Sequence, residues 1–100
     1  MFVIYALQYC PYSERAVRIA EQLKLKTNVI WITHEEKNKY KKLNNMNTFP
    51  QIFYYSTPKS KTPTKIGGCD DFERLIKTCQ QVNSMNLKDK ALYDICKQLK

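Results

Sequence analysis

The sequence predicts an α/β fold in which a four-stranded mixed sheet is flanked by helices. Runs rich in β-branched and aromatic residues alternate with amphipathic stretches of helical period, in the order β-α-β-α-β-β-α plus a C-terminal helix. The chain has 100 residues, 43% of them hydrophobic, which is enough for one compact core and too few for two. We therefore expect a single domain over residues 1–100.

The strands are predicted by the runs FVIYA, NVIWI and QIFYY, and by a shorter segment before Gly67. The first strand–helix–strand unit should form a right-handed parallel crossover, and the later two strands an antiparallel hairpin. We expect Trp31, Phe53 and Phe72 in the core. The predicted strands are 2–6, 28–32, 51–55 and 64–66, and the predicted helices are one from about 13, one over 33–44, one from 70 and one from 87.

Capping patterns predict where three of the helices begin. Thr33 and Glu36 have the spacing of a capping box, in which each side chain bonds the other residue's main-chain N–H. Asp70 and Glu73 repeat that spacing before the third helix. Asn86 is the expected cap of the last helix.

The formal net charge is +8, and lysines are densest over residues 37–42. This basic run is typical of a solvated helix face. Alternatively, its positive electrostatic potential attracts an anionic thiol substrate. The apolar run at the N-terminus is too short for a membrane span and lacks the flanks of a signal peptide. We expect a cytoplasmic protein that binds neither membrane nor nucleic acid.

The four cysteines are Cys10, Cys69, Cys79 and Cys96, and no two of them form a C-x-x-C pair. In a reducing compartment they are expected to be thiols rather than a disulfide framework. Cys79 falls on the apolar face of its helix, and Cys96 lies beside an apolar stripe. With His34 as the one histidine, no metal site is expected.

Cys10 lies just after the first predicted strand and just before a helix. The unpaired N–H groups and the positive end of a helix favour the thiolate, which is the form that attacks a disulfide. Pro11 suits the first helical turn because its missing N–H has no partner there. Cys10 is therefore the predicted nucleophile.

Three motifs carry a resemblance to a known family. Cys10-Pro11-Tyr12-Ser13 is similar to the C-P-Y-C active site of glutaredoxins, with serine in place of the second cysteine. Thr48-Phe49-Pro50 resembles the family's T-V-P, whose proline follows a cis bond, and Ile66–Asp71 resembles its I-G-G-x-x-D segment. The resemblance implies a thioredoxin fold and a glutathione-dependent thiol–disulfide oxidoreductase.

The resemblance also implies how glutathione, the co-substrate, is held. Main-chain groups of Phe49 would pair with its cysteine moiety, and the N–H groups of Cys69 and Asp70 would hold the γ-glutamyl carboxylate. Asp71 would pair with its ammonium group, and Lys37, one turn before Lys41, with its glycyl carboxylate. The complete implied set is Tyr12, Lys37, Thr48, Phe49, Pro50, Gly68, Cys69, Asp70 and Asp71.

Ser13 decides the expected mechanism, because Cys10 has no thiol three residues on with which to close a disulfide. A one-thiol reduction of glutathionylated proteins and small mixed disulfides by a monomer is expected. Cys69, beside the implied groove, is either a resolving thiol or a small residue in a tight turn. One departure from the family is Leu7, which stands where a basic residue is usual; Gln8 follows it.

Two other functions are consistent with the same fold. Some one-cysteine glutaredoxins carry an iron–sulfur cluster, but these usually read C-G-F-S and have an added loop before the active site. A redox-inert thioredoxin-fold binding domain, using its basic face, is the other alternative. Such a domain would require neither a cysteine at the helix start nor the Gly-Gly-Cys-Asp-Asp segment.

Overall fold

The computed structural model describes residues 1–57, 59, 61–81 and 90–98. Four strands and four helices follow the predicted order, which confirms the mixed-sheet α/β fold. They are β1 (Phe2–Leu7), α1 (Pro11–Gln22), β2 (Thr27–Ile32), α2 (Lys37–Asn44), β3 (Gln51–Tyr54), β4 (Thr64–Gly67), α3 (Cys69–Gln81) and α4 (Lys90–Gln98).

The strands are arranged in the order β2-β1-β3-β4. β1 and β2 are parallel, with Phe2 opposite Thr27 and Leu7 opposite Ile32, so the predicted parallel crossover is confirmed. β3 is antiparallel to both β1 and β4, as the hairpin prediction requires. Because β1 is central, the loop after it emerges in the middle of one edge of the sheet.

The core lies between one face of the sheet and helices α1, α3 and α4. Phe2 is fully buried at its centre, with its ring 5.1 Å from Tyr54 and 5.5 Å from Phe72 between centroids, both edge to face. The other core residues include Ile4, Ala6, Ala16, Val17, Ala20, Ile52, Ile76 and Ile95. This packing fixes the start of α1 relative to the start of α3.

Three helices begin at residues other than those predicted. α1 begins at Pro11 rather than about Ser13, α2 at Lys37 instead of just after Thr33, and α3 at Cys69 instead of Asp70.

Half of the predicted capping box is present, because the Thr33 N–H donates to the Glu36 carboxylate at 3.2 Å. The other half is absent: the Thr33 hydroxyl donates to the same carboxylate (3.0 Å) and caps no N–H group, while the Glu36 N–H donates to the Thr33 carbonyl (3.0 Å). These contacts close a turn before α2.

Three predictions about side chains are wrong. Phe53 is half-buried on the face of the sheet opposite the core, with its ring centroid 5.9 Å from that of Tyr5, because Ile52 and Tyr54 on either side of it point into the core. Trp31 is 46% exposed because β2 is an edge strand, which the helices cover less than the central β1.

Cys79 and Cys96 are disulfide-bonded rather than free thiols. Their Cα atoms, 4.9 Å apart, lie within disulfide range, because α3 and α4 pack with these two buried residues facing each other.

The predicted cap Asn86 lies outside the described residues. No helix in the described ranges has the length and apolar content needed to cross a membrane.

Candidate functional site

Cys10 is the N-cap residue of α1, with the extended backbone (φ −102°, ψ 116°) that such a position requires. Its carbonyl accepts the Glu14 N–H at 3.0 Å and so starts the helix. Its side chain makes no capping hydrogen bond and is partly exposed. The sulfur therefore lies at the positive end of the helix, where a negative charge is favoured.

The segment before Cys10 is tied to the neighbouring strand. Gln8 N–H donates to the Ile32 carbonyl at 2.9 Å, and His34 Nε2 donates to the Gln8 carbonyl at 2.9 Å. Tyr9 has a left-handed backbone (φ 61°) and an 84% exposed side chain. Leu7, where glutaredoxins usually have a cation, is buried at the end of β1.

Ser13 is fully buried, and its hydroxyl accepts the Leu7 N–H at 3.0 Å. The position that holds the second cysteine in the C-P-Y-C pattern therefore holds a hydroxyl that joins α1 to β1. This structural role has no signal in the sequence, because it depends on the packing of α1 against the end of β1.

An open groove of about 320 Å³ lies beside Tyr12, two residues after Cys10. This volume is at the lower end of the usual range for ligand pockets. Its lining residues are Tyr12, Met46, Thr48, Phe49, Gly68, Cys69, Asp70 and Asp71. The fold thus brings seven of the nine residues of the predicted glutathione set around one groove.

The observed lining differs from the predicted glutathione set at three residues. Pro50 is buried behind the groove, and the Phe49–Pro50 peptide bond is cis, as the resemblance implied. Lys37, the first residue of α2, is half-buried and is not part of the groove lining. Met46 lines the groove but was not predicted, because it belongs to no motif. Its position two residues before Thr48 is the one feature of the sequence that could have indicated it.

The other wall of the groove is the start of α3. Asp71 Oδ2 accepts the Gly68 N–H at 3.1 Å, so the capping pair is Gly68–Asp71 rather than the predicted Asp70–Glu73. Gly67 precedes it with φ 121°, and a Cβ atom there would overlap the Asp71 carboxylate. Glycine is therefore required for this close approach.

Cys69 is buried in the groove wall and its thiol donates to the Glu73 carboxylate (3.7 Å). Glu73 also forms an ion pair with Arg15 of α1 (2.6 Å), which links α1 to α3. Burial, with a smaller effect of the Glu73 charge, raises the pKa of the Cys69 thiol above its ordinary value. Cys69 is thus held as a neutral thiol.

Within the described ranges, no group of three or more His, Cys, Asp or Glu side chains is arranged to hold a metal ion. The chemistry that these residues can perform is that of one accessible thiol beside a groove whose lining is partly polar and partly apolar. The groove is bounded by a helix N-terminus and by two carboxylates, Asp70 and Asp71.

Comparison with known proteins agrees with this arrangement. The family model for glutaredoxin matches residues 2–56, which include Cys10 and Pro50. No curated protein matches the chain. The buckwheat glutaredoxin–glutathione complex has a similar fold (TM-score 0.58, 16% identity), with 99% of this chain and 81% of that chain covered.

The solution structure of glutaredoxin from Brucella melitensis is also similar, with a TM-score of 0.51 and 28% identity. The similarity covers 77% of this chain and 78% of that one. With more than half of the residues matched by the family model, the chain belongs to the glutaredoxin family.

Proposed function

We propose that this protein is a glutathione-dependent thiol–disulfide oxidoreductase that reduces glutathione mixed disulfides through Cys10 alone. The observation that carries the proposal is the placement of one accessible thiol at the start of α1 beside the groove at Tyr12. A glutaredoxin of similar fold, from buckwheat, is described in complex with glutathione.

The groove offers partners for the γ-glutamyl end and the cysteine moiety of glutathione. Main-chain N–H groups at the start of α3 suit the γ-glutamyl carboxylate. The exposed Asp71 carboxylate, which accepts the Gly68 N–H through Oδ2 and lies 3.6 Å from Arg74 Nη1 through Oδ1, would also pair with the ammonium group of that end. Phe49 and Thr48 on the opposite wall would contact the cysteine moiety.

The reaction needs two thiol–disulfide exchanges. The Cys10 thiolate attacks the glutathione sulfur of a mixed disulfide; the old S–S bond breaks, and the substrate leaves as a thiolate that takes a proton from water. A second glutathione, as thiolate, then attacks the glutathione sulfur bound to Cys10. Oxidised glutathione is released and the Cys10 thiolate is regenerated, so the net reaction converts the mixed disulfide and one reduced glutathione into the free substrate thiol and oxidised glutathione.

Ser13 and Cys69 favour the one-thiol route over a two-thiol route. The Ser13 hydroxyl is bonded to Leu7 N–H and cannot form a disulfide. The Cys69 thiol is buried and bonded to Glu73, which is unfavourable for a resolving nucleophile. Because glutathione itself must resolve the intermediate, the proposed reaction requires a compartment that supplies reduced glutathione, as the cytoplasm does.

The test is turnover of a glutathionylated model protein by wild-type, Cys10→Ser and Cys69→Ser proteins. We expect Cys10→Ser to lose activity to the background rate and Cys69→Ser to retain it. Turnover by Cys10→Ser would contradict the proposal. Loss of activity in Cys69→Ser, with the fold intact by circular dichroism, would instead indicate that Cys69 resolves the intermediate.

A further inference from the structure

Gln51, the first residue of β3, is a fully buried polar side chain that the proposed reaction does not use. Its Oε1 accepts a hydrogen bond from Asn44 Nδ2 at 2.8 Å, and its Nε2 donates to the Met46 carbonyl at 3.3 Å. Burial of an amide is unfavourable unless both of its ends are bonded, so these contacts fix the orientation of the carboxamide.

These two contacts span the connection between α2 and β3. The connection, residues 45–50, provides one wall of the groove through Met46, Thr48 and Phe49. The Gln51 side chain reaches back five residues to Met46 and thereby closes this segment into a compact loop.

Other hydrogen bonds hold the first part of this loop. Met46 N–H donates to the Lys41 carbonyl at 3.0 Å, and Lys65 Nζ donates to the Asn45 carbonyl at 2.9 Å. Over the part of the chain that the structure describes, no hydrogen bond attaches residues 47–49 to the rest of the fold. The position of Thr48 and Phe49 therefore depends on the anchor at Met46 and on the entry into β3.

We propose that Gln51 is a positioning residue for the glutathione groove: its carboxamide holds the Met46–Phe49 wall opposite the start of α3. This inference rests on the proposed function, because it assigns the groove to glutathione. Loss of the contact would let the wall move. Glutathione would then bind more weakly, while the reactivity of Cys10, which is on another element, would be unchanged.

The test compares Gln51→Met and Asn44→Asp with wild type, using the mixed disulfide of glutathione and 2-mercaptoethanol as substrate. Gln51→Met keeps a similar volume and removes both hydrogen bonds. In Asn44→Asp the new carboxylate attracts Gln51 Nε2, which turns the amide and breaks its bond to Met46 without loss of volume. We expect each variant to raise KM about tenfold, with kcat within about twofold of wild type.

Ile52→Val is the matched control. Ile52 is the next residue, equally buried, and belongs to the hydrophobic cluster on the opposite face of the sheet. It should lower the melting temperature without a change in KM. In NMR spectra of the glutathione-free protein, the Thr48 and Phe49 amide signals should shift in Gln51→Met and stay in place in Ile52→Val.

The possible failures are distinguishable. If the wild-type protein does not turn over the mixed disulfide, the proposed function is wrong. The Thr48 and Phe49 amide signals would still show whether Gln51 holds this segment in place. If the wild type is active, an unchanged KM in Asn44→Asp and in any folded Gln51→Met would overturn the positioning role. A lower melting temperature alone would indicate a structural role only.

Discussion

Replacement of Ser13 by alanine tests whether the hydroxyl at the second active-site position is a structural group. Main-chain N–H groups alternate in direction along β1, and those of Phe2 and Gln8 point to the β2 side. The Leu7 N–H therefore points to the β3 side, where pairing ends at Tyr5 opposite Gln51. Ser13 Oγ, 3.0 Å away, is the group that satisfies it.

Ser13→Ala leaves this buried N–H without a partner, which costs about 1–3 kcal/mol. For a domain of this size, a central value of about 2 kcal/mol lowers the melting temperature by about 8–16 °C. The variant should nevertheless retain its thiol-transfer activity at 25 °C, because the hydroxyl takes no part in either exchange.

The assay is guanidinium unfolding of wild type, Ser13→Ala and Ser56→Ala, followed by turnover of a glutathionylated protein. Ser56 is exposed, so its replacement is the control for loss of a hydroxyl and should change the unfolding free energy by less than about 0.5 kcal/mol. If Ser13→Ala is as stable as the control, the reasoning about the Leu7 N–H is wrong. If it is stable but inactive, Ser13 has a chemical role instead.

Three further outcomes are expected. Replacement of both Cys79 and Cys96 by alanine should destabilise the protein by about 3 kcal/mol, the chain-entropy value for a separation of 17 residues, and should make its melting temperature insensitive to reducing agents. Tyr9→Gly should raise the unfolding free energy by about 1 kcal/mol in urea titrations, because it relieves a left-handed backbone while losing little packing; an unchanged or lower value would contradict this. Burial raises the pKa of the Cys69 thiol, so iodoacetamide at pH 8 should modify Cys10 first, with Cys69 reacting appreciably above pH 9, as mass spectrometry would show. Because this folded-state pKa is raised, the stability due to neutral Cys69 is present at low pH and is lost as the pH rises through the folded-state value.

The order of elements and the pairing directions of the strands could be predicted from the sequence. Both follow from local properties, namely hydrophobic period and β-propensity, together with the handedness of crossover connections. The exact start of α2 could not, because the Thr33 hydroxyl bonds the Glu36 side chain in preference to an N–H group. The spacing of Thr33 and Glu36 does not show whether the hydroxyl bonds a main-chain N–H group or the Glu36 carboxylate.

For the site, the family resemblance carried by the three motifs implied most of the groove lining, and each motif is a short segment whose conformation is set locally. The Cys10 position at a helix start and the Gly67–Gly68 turn are of this kind. By itself, then, the sequence determined the fold class, the position of Cys10 at a helix start and the approximate lining of the groove.

The tertiary structure alone decided which groups meet across distant segments. The Cys79–Cys96 disulfide, the Arg15–Glu73 ion pair and the Gln51 anchor each join residues of different elements. Their formation depends on how α1, α2 and α4 pack on the rest of the fold, and no local pattern records that packing. The same physical reason explains Ser13, which matches an active-site motif in the sequence and is a buried structural acceptor in the fold.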